Sequence, residues 1–243
     1  MPLTTFPRTL LVLRDSRVTG PDYSCRGGLV TELEIKPLLR GVSHEVAAAV
    51  ALAGAILLVG FAPAGAPRMG ALVYGTSLCG LFLVSALYHR APWSPAASTV
   101  MQRLDHSAIF TLIAGTYTPL CLLLGPPLGY PLLGVVWSGA LLGIARVFVW
   151  PTAPRALAVG LYVLLGWTAL PALPSIADHV GAIGLGLLGL GGAAYTIGAA
   201  VYATRKPDPY PTVFGYHEVF HVLVIGAAAC HYAVVVMCIA EVA

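Results

Sequence analysis

Residues 217–240 read HEVFHVLVIGAAACHYAVVVMCIA. After Glu218 no Asp, Glu, Lys or Arg interrupts the run. A helix of this length, rising 1.5 Å per residue, is long enough to cross a hydrocarbon core about 30 Å thick. The stretch is therefore expected to be a transmembrane helix. Its first turn carries His217 and His221 at i and i+4, one above the other on a single face. One element thus enters a bilayer and brings two imidazoles to its edge.

The remainder of the 243-residue chain has the same character: 58% of residues are apolar and 9% charged, and the mean hydropathy is +0.85. An ordinary soluble protein has about 25% charged residues, so the 13 basic and 10 acidic side chains could not coat a soluble particle of this size. A net charge of +3 in such a chain excludes nucleic-acid binding as its purpose and directs attention to where the charges lie. The five cysteines, Cys25, Cys79, Cys121, Cys230 and Cys238, stand singly in apolar context, which speaks against disulfides and thiolate metal sites. The apolar run Thr9 to Leu13 is shorter than a signal-peptide core and is followed by Arg14 and Arg17, so no cleaved signal peptide is expected.

Seven runs of spanning length are separated by charge, Pro or Gly, at about 43–62, 69–89, 105–124, 128–149, 155–174, 182–204 and 217–240. The expected fold is an all-α membrane protein, a seven-transmembrane helical bundle over residues 42–243, preceded by a partly ordered tail, 1–41. On alternate sides of these spans the basic residues divide twelve to one. Arg8, Arg14, Arg17, Arg26, Lys36, Arg40, Arg90, Arg103, Arg146, Arg155, Arg205 and Lys206 fall on one side, and Arg68 alone on the other. The positive-inside rule then puts the N-terminus in the cytoplasm and the C-terminus outside. The expected location is the cell (plasma) membrane, as a multi-pass protein whose partners are membrane lipids.

Ionisable groups within a membrane are costly and mark functional sites. In the expected topology His44 begins span one, His89 ends span two, Asp105 opens span three, and His217 and His221 begin span seven, all at one depth near the inner leaflet. Either His217 and His221 are ordinary hydrogen-bonded histidines or, with His89, they bind a metal. Three neutral imidazoles with an open fourth position suit catalytic zinc. Ser85 sits one turn deeper than His89 on the same face, where its hydroxyl can bond a metal-held water or its own i−4 carbonyl. Asp105 can serve the site or compensate the dipole at a helix N-terminus. His44 is a supporting partner of the ligands or an interfacial histidine. His106 and Glu218, about 100° round their helices from favoured residues, should face elsewhere, and His231 should be a core histidine. Arg146 is expected to snorkel to the interface, and Pro119 to kink span three. The glycines of span six permit close helix approach or simply face lipid.

Three segments resemble the hemolysin III family, the bacterial branch of the progestin and adipoQ receptor superfamily. Ser85 to His89 resembles its S-x-x-x-H, Asp105 to Phe110 and Ala114 to Pro119 resemble its D-H-S-x-I-F…A-G-[ST]-Y-T-P, and His217 to His221 resembles its H-x-x-x-H. The likeness covers about residues 36–240. It implies seven helices with the N-terminus inside, a zinc ion held by His89, His217 and His221, and Asp105 and Ser85 around a zinc-bound water. Ser43-His44 resembles the end of the family's first motif, although Arg40 stands where many members carry Asn. Eukaryotic relatives are receptors with ceramidase-like hydrolase activity, while bacterial members carry a haemolysin name. The expected function is zinc-dependent hydrolysis of an amide or ester bond of an inner-leaflet lipid, with Asp105 and Ser85 as catalytic groups. The alternative is a non-enzymatic lipid sensor with structural zinc. A pore is disfavoured because the polar groups gather on one side only.

Overall fold

The computed structural model describes residues 36–242, so the expected tail 1–41 lies mostly outside the described residues. The helices are α1 (Val42–Phe61), α2 (Ala66–Arg90), α3 (Pro95–Leu124), α4 (Gly129–Val149), α5 (Arg155–Gly166), α6 (Leu173–Thr204) and α7 (Tyr216–Glu241), with a 3-10 segment Trp167–Ala172 between α5 and α6. Among the described residues the fold is all-helical apart from an isolated bridge between Tyr210 and Phe214. Six helical segments are long and apolar enough to cross a membrane, the region Arg155–Thr204 counting as one segment of 50 residues.

That region does not run straight. Trp167 Nε1 donates to Thr196 Oγ1 at 3.0 Å, yet a straight helix rising 1.5 Å per residue would hold these residues roughly 40 Å apart. The chain folds back at Gly181, whose φ of 64° and ψ of −174° are closed to helices and strained for any residue with a Cβ.

Apolar side chains point both outward and inward, because lipid is as apolar as the core. Leu142, Val149, Ile183 and Leu190 are exposed. Inside, α1, α2 and α7 share a cluster containing Leu58, Tyr74, Phe82 and Val235. A second cluster joins α3, α4 and α5 around Phe110, Val136 and Leu165. Small residues set the closest approaches. A Cβ on Gly143 of α4 would stand 2.3 Å from the Phe110 ring of α3. On α6 a Cβ at Gly191 would meet the His231 ring of α7 at 2.4 Å, whereas Gly186 and Gly189 have nothing within 4 Å. The span-six glycines therefore divide between a contact face and an open one.

Helix limits correct one expectation. α3 begins at Pro95, with Ser94 as its cap accepting from Ala97 N at 3.3 Å. Asp105 lies ten residues beyond Pro95, well inside the helix. Dipole compensation fades within the first turn, so the capping role for Asp105 is withdrawn. Pro119 sits within the continuous helix α3. Its flanking Thr116 and Thr118 donate to their own i−4 carbonyls, Leu112 O at 2.8 Å and Ala114 O at 2.9 Å.

Candidate metal centre

Three helices end together at this site. His44 is in the first turn of α1, His89 in the last turn of α2, and His217 and His221 in the first two turns of α7. The start of α7 is held by buried Glu218, whose carboxylate accepts from Gly215 N at 2.8 Å and from Arg40 Nε. Tyr216 N donates to Asp208 Oδ1 at 2.7 Å. The segment before α1 is tied to the same region, with Leu38 N donating to Thr212 O at 3.0 Å. At the α1–α2 junction Arg90 Nε donates to Glu45 Oε2 at 3.2 Å, an exposed pair of little energetic weight.

These constraints bring His89, His217 and His221 together. One ring nitrogen from each lies within 4.8 Å of the other two, and His89 Nε2 is 3.1 Å from His217 Nε2 across 128 residues of sequence. Nitrogens about 2.0–2.1 Å from one tetrahedral zinc would stand roughly 3.3 Å apart, so the cluster fits a single ion. His89 and His221 are buried and His217 partly so. His221 Nδ1 is a buried nitrogen without a hydrogen-bond partner. His44 stacks on His221, with centroids 3.7 Å apart and planes at 10°, and edges against Phe82 at 5.0 Å. It supports the ring of a cluster member rather than facing the interface.

Ser85, buried and one turn along α2 from His89, lies within reach of the Asp105 carboxylate of α3, whereas Ser77 bonds Tyr74 O in its own turn at 2.8 Å. His231 stands apart from the three-histidine cluster but lines the same cavity, with Nε2 at 3.4 Å from Leu188 O and its ring against Tyr195.

Histidines, Ser85 and Asp105 all line one cavity of about 1180 Å³, whose deeper lining includes Leu120, Leu173 and Leu188. That exceeds the roughly 300–1,000 Å³ of ordinary small-ligand sites. Towards the histidine end it is strongly cationic, lined by Lys36, Arg40, Arg90, Arg103, Arg146 and Arg155. Burial, then Arg40 and Arg90, hold the Lys36 ammonium below its usual pKa.

Sequence reasoning missed three features. Glu218 faces Arg40; an acid inside an apolar run needs a partner, which was the available signal, but the partner is 178 residues away. His106 lines the cavity, as does Arg146, whose Nε is buried without a hydrogen-bond partner.

A sequence model of the family described as "Haemolysin-III related" matches residues 34–232. Hemolysin-3 of Bacillus cereus is 30% identical over 205 residues, covering 82% of this chain and 90% of the relative. The Hemolysin-3 homolog of Bacillus subtilis is 34% identical over 171 residues, 69% of this chain and 76% of the relative. The heptahelical transmembrane protein ADIPOR2 of Oryza sativa is 30% identical over 188 residues, covering 70% and 82%.

Proposed function

The chain belongs to the hemolysin III family, multi-pass membrane proteins of the progestin and adipoQ receptor superfamily, and from that membership we propose that it is a zinc-dependent hydrolase of amide or ester bonds in membrane lipids. The observation carrying this reading is the three-histidine cluster beside the Ser85–Asp105 pair at one end of a cavity with an apolar interior.

His89, His217 and His221 hold the ion in this reading. Zinc bound there supplies Lewis acidity to a carbonyl oxygen and lowers the pKa of a water to about 7. Asp105 accepts the proton that water loses as it bonds the acyl carbon, and returns it to the departing amine nitrogen or alkoxide oxygen when the C–N or C–O bond breaks. Ser85 holds the Asp105 carboxylate in one orientation by donating its hydroxyl proton to it. His44 fixes the His221 ring by stacking. The apolar depth of the cavity takes the acyl chain and keeps bulk water from it.

We also assign seven crossings with the histidine end at the cytoplasmic face. The reversal at Gly181 divides the 50-residue segment into two crossings, a rice relative is named heptahelical, and the basic residues divide twelve to one. The lipid therefore enters from the inner leaflet.

The sensor reading draws on one observation: the histidines join α2 to α7 and are themselves locked by His44, as a structural clip would be. Turnover separates the readings. Purified protein with verified zinc is incubated with ceramides, N-acyl amino lipids and phospholipids, and free fatty acid is measured by mass spectrometry. Hydrolysis predicts release from at least one class and a 10²–10⁴-fold loss in Asp105→Asn with zinc retained. Release no greater than from the His89, His217, His221 triple alanine variant would leave the sensor.

A further inference from the structure

Three arginines outside the histidine cluster line the same cavity: Arg103 on α3, Arg146 on the last turn of α4 and Arg155 at the start of α5. None forms an ion pair among the described residues, where the arginine–carboxylate pairs are Arg40–Glu218 and Arg90–Glu45.

Helix register gathers them. The contact of Gly143 with Phe110 fixes how α4 lies on α3. One turn from it, α3 presents His106, four residues before Phe110, and α4 presents Arg146, three residues after Gly143. Another turn along, the Arg103 guanidinium lies 6.0 Å from the Phe148 ring centre. Helix α5 joins through Tyr162, whose ring is 4.5 Å from Phe110 and whose hydroxyl donates to the His106 carbonyl at 3.3 Å. Arg155, two turns before Tyr162 on that face, stands over Tyr202 at 5.1 Å. His106 is within electrostatic reach of both Arg146 and Arg155.

Membrane-topology bias explains why arginines occur at this end of the bundle, but not their aim. Arg205 and Lys206 follow α6 at its end and do not line the cavity. By contrast, the Nε atoms of Arg103 and Arg146 are buried without a hydrogen-bond partner. Withdrawing guanidinium donors from water beside like charges is unfavourable until an anion satisfies them. Planar forks suit phosphate oxygens in particular, which accept paired N–H donors and carry the compensating charge.

We propose that Arg103, Arg146 and Arg155 form a headgroup subsite for an acyl lipid bearing a phosphate, its chain lying in the apolar depth of the cavity beside Leu120, Leu173 and Leu188. The proposal rests on the reading above only in placing a lipid in this cavity; binding requires no turnover. The shared chemistry is the phosphoryl oxyanion, which a lipid headgroup or free phosphate could supply.

The full chain in neutral detergent is titrated with oleoyl lysophosphatidic acid, with monooleoylglycerol of the same chain, and with inorganic phosphate as competitor, binding being read by native mass spectrometry. Lysophosphatidic acid should bind at least about ten-fold tighter than monooleoylglycerol, with phosphate competing only at far higher concentration. Arg103→Gln and Arg146→Gln should each weaken it about ten-fold, and Arg205→Gln should leave it unchanged. Equal binding of the two lipids by the unaltered protein, an equal loss in Arg205→Gln, or displacement by phosphate at the lipid's own concentration would overturn the lipid subsite. The comparison of headgroups needs no variant, so misfolding cannot obscure it. Selective phosphate-lipid binding without hydrolysis would sink the hydrolase alone; hydrolysis with equal binding would sink the subsite alone.

Discussion

Arg40 reaches from the segment before α1 to Glu218 in the first turn of α7, and the two side chains are 18% and 1% exposed. Removing one member of a buried pair leaves the other charge without compensation, which costs about 3–5 kcal/mol. Because Arg40 keeps some exposure, Arg40→Ala should fall near the lower end, about 3 kcal/mol. Thermal unfolding in detergent reads this directly; a midpoint equal to that of the unaltered protein would contradict the pairing. The histidines were legible because i, i+4 spacing on one helix is a local property. Asp105 was legible as a candidate, an acid beside an apolar run, but misplaced as a helix start, since Arg103 and Gln102 interrupt the apolar run before it. The Ser94-Pro95 start signal, a capping serine followed by proline at the first helical position, was in the chain but outweighed by that interruption.

Among the elements, α6 shows most clearly what composition leaves open. Gly184, Gly191 and Gly198 recur every seven residues and are buried, while Gly186 and Gly189 are open. The sequence displays all of them alike, and only packing separates the faces. Gly191→Ala should therefore destabilise by about 1–3 kcal/mol through overpacking on His231. Gly189→Ala, in open space, should be neutral or stabilising by up to about 1 kcal/mol through helix propensity. The same unfolding measurement on both variants tests the assignment, and a reversed order would refute it. Helix limits were otherwise recovered to within a few residues for α1, α2, α4 and α7, because uninterrupted apolar runs of spanning length have few alternatives. In the α5–α6 region the expected run 182–204 begins just after the reversal at Gly181 and ends with α6, whereas the 3-10 segment Trp167–Ala172 and the helical turn from Leu173 to the reversal were not legible, because they depend on contacts between residues far apart in the chain.

At the scale of the molecule, the polar groups, the cavity and the basic side chains meet at one end of the bundle. Their common depth was legible from the order of spans, but the cavity was not, because enclosed volume arises from how seven elements lean together. The proposed orientation has a direct check in a cysteine-free background. A cysteine at Ala97 should resist an impermeant thiol reagent in intact cells, and one at Gly65 should react; labelling at Ala97 from outside would invert the topology. The metal centre is the claim on which the rest depends, and it is tested by elemental analysis of the purified protein. One zinc per chain is expected in the unaltered protein and in His231→Ala, with sharp loss in His89→Ala and near-complete loss when His217 and His221 are both replaced by Ala. Full zinc in that double variant would show that the ion, if any, is held elsewhere.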